Sequence, residues 1–330
     1  FEKTNDEKTN ELQKELEKQE DKDSEATRME FVTPRETIAK ELLKTLVEDP
    51  ARAMELYDES GAMKKLLPEV IKLKSCEQPK HLHNEGDVWQ HTLLMMQLIR
   101  SKDFRKYFPG IHISGEFVLG VLLHDIAKPD TQTITKEDGK DRIRFNAHEK
   151  KGKEIAEEIL SRLRLSSEQK AKIYFMIENH MVAMSVADVN ILSPHKFAKR
   201  FIDSPHSQEL LMLFYLDSMG TVRPDGSSPM KNFLDTIERI EKIKQIRAKR
   251  DAQIADGTLI LQTLNLKNGP MIGLMKNLID ELADSGILST EAEAIEFLKS
   301  NQDHLLTYQD RISKTNRDEL VSELLKQYGK

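Results

Sequence analysis

Phe117-Val118-Leu119-Gly120-Val121-Leu122-Leu123-His124-Asp125 is the stretch on which the reading of this chain turns. Its unbroken apolar run predicts a helix buried on every side. Pro129 limits how far that helix can continue, so His124-Asp125 falls at or near its C-terminus. A carboxylate buried beside an imidazole is costly unless it is hydrogen-bonded, paired or metal-bound. Taken alone, the dipeptide favours a structural Asp-His contact over a ligand pair.

The residues around it change that balance. Helical spacing predicts further helices at Trp89 to Ile99, His148 to Leu163, Ser167 to His180 and Ser207 to Met219. Each of these holds one polar residue in apolar surroundings or at a helix end: His91, His148, His180 and Asp217. Five helices thus offer six candidate metal ligands, His91, His124, Asp125, His148, His180 and Asp217. Neutral imidazole and carboxylate suit divalent ions such as Mn, Fe, Co, Ni or Zn, with Mg also possible for the carboxylates. A carboxylate can bridge two ions where one imidazole nitrogen cannot, so Asp125 is the expected bridge. Two ions roughly 3.5–4 Å apart would activate a water for in-line attack on phosphorus, which makes phosphoester hydrolysis the matching chemistry. Lys128, one turn beyond His124, is either a point charge for a phosphate oxygen or a solvated surface lysine.

Thr131 to Phe145 interrupts the helices. It is rich in Thr, Ile and Phe around Asp138-Gly139, the dipeptide of a tight hairpin turn, and predicts a short β-hairpin. Upstream, Ile38, Leu42, Leu43 and Leu46 recur at helical spacing after Thr33-Pro34 until Asp49-Pro50, and a short helix with Ala53, Leu56 and Tyr57 follows. Downstream of the turn-rich Arg223-Pro224-Asp225-Gly226, residues 229–252 predict a long helix with Ile237, Ile240, Ile243 and Ile246 on one face. Its other face carries Lys242, Lys244, Arg247, Lys249 and Arg250, either a phosphate-contacting patch or a solvated face. The expected division is a charged linker or frayed helix over 1–31, a helical neck-like unit over 32–78, the candidate catalytic domain over 79–225 and a helical tail over 226–330.

Composition agrees with an all-α fold. Of 330 residues 32% are charged and only 6% aromatic, with 14 Gly and 11 Pro, which favours helices with solvated faces over a turn-rich β architecture. The net charge of −6 is concentrated in residues 1–30, which hold eleven acidic and six basic side chains. The remainder is nearly neutral, so any contact with RNA must come from a local patch. The only cysteine, Cys76, cannot form an internal disulfide, and neither a long apolar span nor a signal-peptide core is evident, so a cytoplasmic location and no membrane partner are expected. Because residue 1 is Phe rather than Met, the reading allows for an upstream piece.

At its six polar residues the chain resembles the HD superfamily of metal-dependent phosphohydrolases, whose pattern is a His, a His-Asp pair and a distant Asp. Here these are His91, His124-Asp125 and Asp217, while His148 and His180 occupy the two further places of two-metal members. The wording is more specific at His83-Asn84-Glu85-Gly86-Asp87-Val88-Trp89-Gln90-His91-Thr92, at Leu122 to Pro129 and at Phe145-Asn146-Ala147-His148-Glu149. There it looks like bacterial CCA-adding tRNA nucleotidyltransferase and poly(A) polymerase family proteins that carry an HD domain. The lead-in from residue 32 resembles their neck, and Leu266-Lys267-Asn268-Gly269-Pro270-Met271-Ile272-Gly273 their tail. The Gly-Ser element and paired aspartates of their polymerase head have no match, since Asp21-Lys22-Asp23 is a charge run and Gly226-Ser227 lies in a turn. The resemblance therefore implies an HD-type phosphodiesterase or phosphatase acting on a nucleotide, a 2′,3′-cyclic phosphate or an RNA end, without nucleotidyl transfer by this chain. The alternative is a tRNA-binding body and tail without its own catalysis.

Overall fold

Local signals fix most helix ends, and the ends decide where the polar side chains arrive. The computed structural model describes residues 34–137, 140–184, 192–251 and 254–329. The charged stretch 1–31 and the Asp138-Gly139 turn lie outside the described residues. Helix α1 (Arg35–Glu48) gives way to α2 (Pro50–Glu59) at Asp49, whose side chain accepts the backbone N–H of Arg52 while Pro50 takes the first helical position. Two short helices follow, α3 (Ala62–Leu66) and α4 (Pro68–Ile71). After an irregular segment, Asp87 caps α5 (Val88–Leu98) and Ser101 caps α6 (Lys102–Tyr107).

Helix α7 (Gly115–Leu123) is the centre of the fold. Ser114 caps it, and Gly115 and every residue from Phe117 to Leu123 are buried, as the apolar run requires. It packs against α1, α5 and the later helix α10 (Ser167–Met184). Gly115 is needed for the first of these contacts, because a Cβ there would lie 2.6 Å from the Leu43 carbonyl oxygen. Past His124-Asp125 the chain makes the short α8 (Lys128–Thr131) and enters a two-stranded antiparallel hairpin, β1 (Gln132–Glu137) and β2 (Lys140–Phe145). Gln132 pairs with Phe145 and Ile134 with Ile143, as the Thr- and Ile-rich sequence led one to expect. Helix α9 (His148–Arg162) then packs along α10, and α10 along α12 (Ser207–Gly220), with α11 (Pro194–Phe201) between them in the chain. The fold is all-α with one hairpin among the described residues.

Two hydrophobic cores organise these elements. The first runs from Ala39 to Ile243 and unites the neck-like helices with those that carry the six polar residues. Helix α13 (Met230–Ala248), which the sequence groups with the tail, contributes Phe233, Ile240 and Ile243 to it. The second core, Ile254 to Leu324, is built by α14 (Gly257–Thr263), α15 (Pro270–Asp284), α16 (Glu291–Ser300), α17 (Gln302–Leu306) and α18 (Arg317–Tyr328). Among the described residues no helix is long and apolar enough to cross a membrane.

Candidate metal centre

The six side chains proposed from the sequence converge on one place inside the first core. All are at most 7% exposed, and His91 and His124 are fully buried. His91 lies one turn into α5, whose entry is fixed by Asp87: one carboxylate oxygen accepts the Gln90 N–H and the other the Ser75 N–H, each at 2.8 Å. His124 and Asp125 follow the last residue of α7, His148 opens α9, His180 lies in α10, and Asp217 sits in the last turn of α12. Gly220 allows α12 to approach α5, since a Cβ there would lie 2.7 Å from Met95 Cγ.

Hydrogen bonding fixes which imidazole nitrogen faces inward. His124 Nδ1 is 2.8 Å from the Val121 carbonyl, His148 Nδ1 2.8 Å from that of Phe145, and His180 Nδ1 2.7 Å from that of Ile177. A carbonyl only accepts, so each Nδ1 must carry the proton, and in the neutral ring the lone pair is left on Nε2. His91 Nδ1 donates instead to Glu85 Oε1 at 3.0 Å, with the Gly220 carbonyl at 3.3 Å. The four Nε2 atoms face the two carboxylates. His91 Nε2 is 3.2 Å from Asp217 Oδ1, and His124 Nε2 is 3.1 Å from Asp125 Oδ2. His148 Nε2 and His180 Nε2 are 3.3 and 3.6 Å from Asp125 Oδ1.

Two features of this cluster fit an added cation. The Nε2 atoms of His148 and His180 stand 3.0 Å apart, where two lone pairs would repel. Among the described residues, the buried Nε2 atoms of His91 and His124 have no well-aligned hydrogen-bond partner, only the neighbouring carboxylates at 3.2 and 3.1 Å. A divalent cation satisfies both conditions, and buried nitrogen and carboxylate donors are the set it requires. His91, His124 and Asp125 form one group whose ligand atoms lie close enough for one ion, and Asp125, His148 and His180 form another. The two oxygens of Asp125 face different groups, Oδ2 toward His124 and Oδ1 toward His148 and His180.

The electrostatics agree. Burial alone would raise the Asp125 carboxyl, but His124, Lys128 and His148 outweigh it and hold it well below the usual carboxylate range. Asp217 is likewise lowered against burial, chiefly by His91. Burial pushes the His91 imidazole down, yet Asp217 and Glu85 together raise it to about 9. His148 is raised by Asp125 against burial, whereas burial lowers His180.

Lys128 is not a solvated lysine. It is 8% exposed, with Nζ 2.7 Å from Asp125 Oδ2, 2.8 Å from Gln78 Oε1 and 5.3 Å from the centre of the Phe145 ring. Gln78 and Glu85 were not singled out from the sequence, since both lie in the irregular segment before α5 where no periodicity marks them. Glu85 also accepts from His83 Nδ1 at 2.6 Å. His83, Glu85 and His91 form a third close group, but both Nδ1 atoms already point at the same oxygen, so an ion there would have to displace two protons. Cys76 lies nearby, and burial pushes its thiol up to about 11, leaving it protonated.

On the basic face of α13, Arg247 donates to Asp284 from Nε at 2.8 Å and from Nη2 at 2.9 Å, and also pairs with Asp203. Arg250 Nη1 lies 3.1 Å from Asp284. Lys242, Lys244 and Lys249 remain exposed.

Residues 88–218 match the HD domain family. Among curated proteins, the chain is 28% identical over 151 residues to a multifunctional CCA protein of Alkalilimnicola ehrlichii, covering 45% of this chain and 32% of that protein. It is 24% identical over 181 residues to an A-adding tRNA nucleotidyltransferase of Deinococcus radiodurans, covering 54% and 40%. A multifunctional CCA protein of Halorhodospira halophila is 32% identical over 130 residues, covering 39% and 28%. The chain thus spans 28–40% of the length of these three relatives. Residues 88–218 are an HD domain related to the corresponding part of CCA-type enzymes.

Proposed function

We propose that the chain is a metal-dependent phosphohydrolase of the HD type, hydrolysing a nucleotide, cyclic phosphate or RNA-end phosphoester. The observation that carries this reading is the inward convergence of three Nε2 atoms on the two oxygens of buried Asp125, with the fourth, that of His91, facing Asp217 beside them. His91, His124, Asp125 and Asp217 would hold one ion, and Asp125, His148 and His180 a second, drawn from Mn, Fe, Ni, Co, Zn or Mg. When bound, such ions acidify water and neutralise phosphate oxygens. The chain's own part is to turn each Nε2 inward, through the acceptor fixed at Nδ1, and to present one Asp125 oxygen to each half of the centre. Lys128 adds a directed ammonium beside Asp125, suited to a phosphate oxygen.

Asp125→Ala tests the proposal, because it removes the shared carboxylate and leaves the apolar faces of α7 intact. The variant is expected to lose metal from its elemental analysis and to cut metal-stimulated hydrolysis of bis-p-nitrophenyl phosphate by at least about a hundredfold. Hydrolysis at the wild-type rate would overturn the mechanism.

A second reading, a tRNA-binding body and tail, is supported by the exposed Lys242, Lys244 and Lys249 and by relatives named for tRNA nucleotidyl transfer. It has less support, because Arg247 and Arg250 are committed to Asp284.

A further inference from the structure

We propose that Glu85 is the positioning residue of this centre, holding His91 and Asp217 together as one half of the site; the inference rests on the metal-dependent reading above. Three of the four imidazoles are oriented locally, by a main-chain carbonyl three residues earlier in the chain. His91 differs. Its Nδ1–H is held by the Glu85 carboxylate, from the loop before α5, and by the end of another helix.

Glu85 is placed to do more than accept that proton. Its side chain is 4% exposed, and both oxygens are used. Oε1 accepts hydrogen bonds from His83 Nδ1 and His91 Nδ1, while Oε2 accepts the Val222 N–H at 2.9 Å. Val222 lies just past α12, the helix whose last turn carries Asp217, and its carbonyl accepts the Asn84 N–H at 2.6 Å. Residues 84–85 therefore tie the start of α5 to the end of α12, and that tie sets the 3.2 Å separation of His91 Nε2 from Asp217 Oδ1. A carboxylate acceptor also makes the far nitrogen of the ring a stronger donor to a metal than a neutral carbonyl does.

Cobalt(II) titration of the full chain, followed by its visible absorption, tests the role. Glu85→Gln keeps the size and one acceptor, and Glu85→Ala removes both. At least one cobalt-binding event is expected to weaken about 10–100-fold in Glu85→Ala, and less in Glu85→Gln. The metal-free melting temperature of Glu85→Gln should meanwhile stay close to wild type. Wild-type cobalt affinity in both variants, or a loss seen only where the metal-free protein is itself unfolded, would overturn the role of Glu85. Failure of the wild-type chain to bind cobalt is a separate result, and it would remove the metal-dependent reading together with this one.

Discussion

Under the proposed function, Lys128 both opposes the cation and assists the substrate. Its ammonium, 2.7 Å from Asp125 Oδ2, competes with any cation for the same carboxylate. Two positive charges a few ångströms apart in a partly buried site repel by roughly a few kcal/mol. Lys128→Met keeps the stem packed beside Phe145 and removes the charge. Cobalt affinity is expected to rise about threefold or more, while phosphoester hydrolysis falls at least about tenfold, because the phosphate oxygen loses its point charge. A fall in cobalt affinity, measured in the same titration, would show that Lys128 serves to hold Asp125 in place. The sequence left this residue open between solvated and functional, since a position one turn beyond a helix end does not reveal what covers it.

Between elements, Asp284 at the end of α15 is a buried polar link from the second core to the first. Its side chain is fully buried and faces Arg247, Arg250 and His195, whose Nδ1 is 2.8 Å away. Glu281, one turn earlier, accepts the His195 N–H at 3.0 Å and the Ser193 hydroxyl. Burial would raise the Asp284 carboxyl, but Arg247, His195 and Arg250 hold it well below the ordinary range. A lowered folded-state pKa means stability that is present above the unfolded value, about 3.9, and lost as pH falls below it. Asp284→Asn is expected to cost about 3 kcal/mol in urea unfolding near pH 6. The gap from wild type should shrink as pH falls from about 4 toward 2. A gap that stays constant over that range would mean that the carboxylate's charge does not hold α15 to α11 and α13.

Across the whole molecule, the six candidate ligands draw on five helices of the first core and none of the second. Metal at about a hundred times its dissociation constant adds about 2.7 kcal/mol to the state that binds it. Hydrogen exchange with and without manganese should therefore slow chiefly in α5, α7, α9, α10 and α12, and least in α14–α18. Slowing confined to α14–α18 would separate the cation's site from the six residues. Much of this arrangement was legible beforehand. The apolar run before His124, the helical spacing around His91, His148, His180 and Asp217, and the Thr- and Ile-rich hairpin are all local patterns, and each matches a described element. Glu85, Gln78 and Asp284 were not legible, because a carboxylate or amide at a loop or helix end has the same sequence context whether it faces solvent or a buried partner.

The sequence by itself determined the helical periods, the helix ends and the residue types able to bind a cation, because backbone hydrogen bonding and apolar spacing act over a few residues. Only the tertiary structure decided which nitrogen of each imidazole faces inward, that Asp125 offers one oxygen to each group of histidines, and that Arg247 and Arg250 serve an internal carboxylate. Those outcomes depend on partners such as Glu85 and Val222, which are 137 positions apart. Contacts of that range are fixed by how the helices pack, so no local pattern could have carried them.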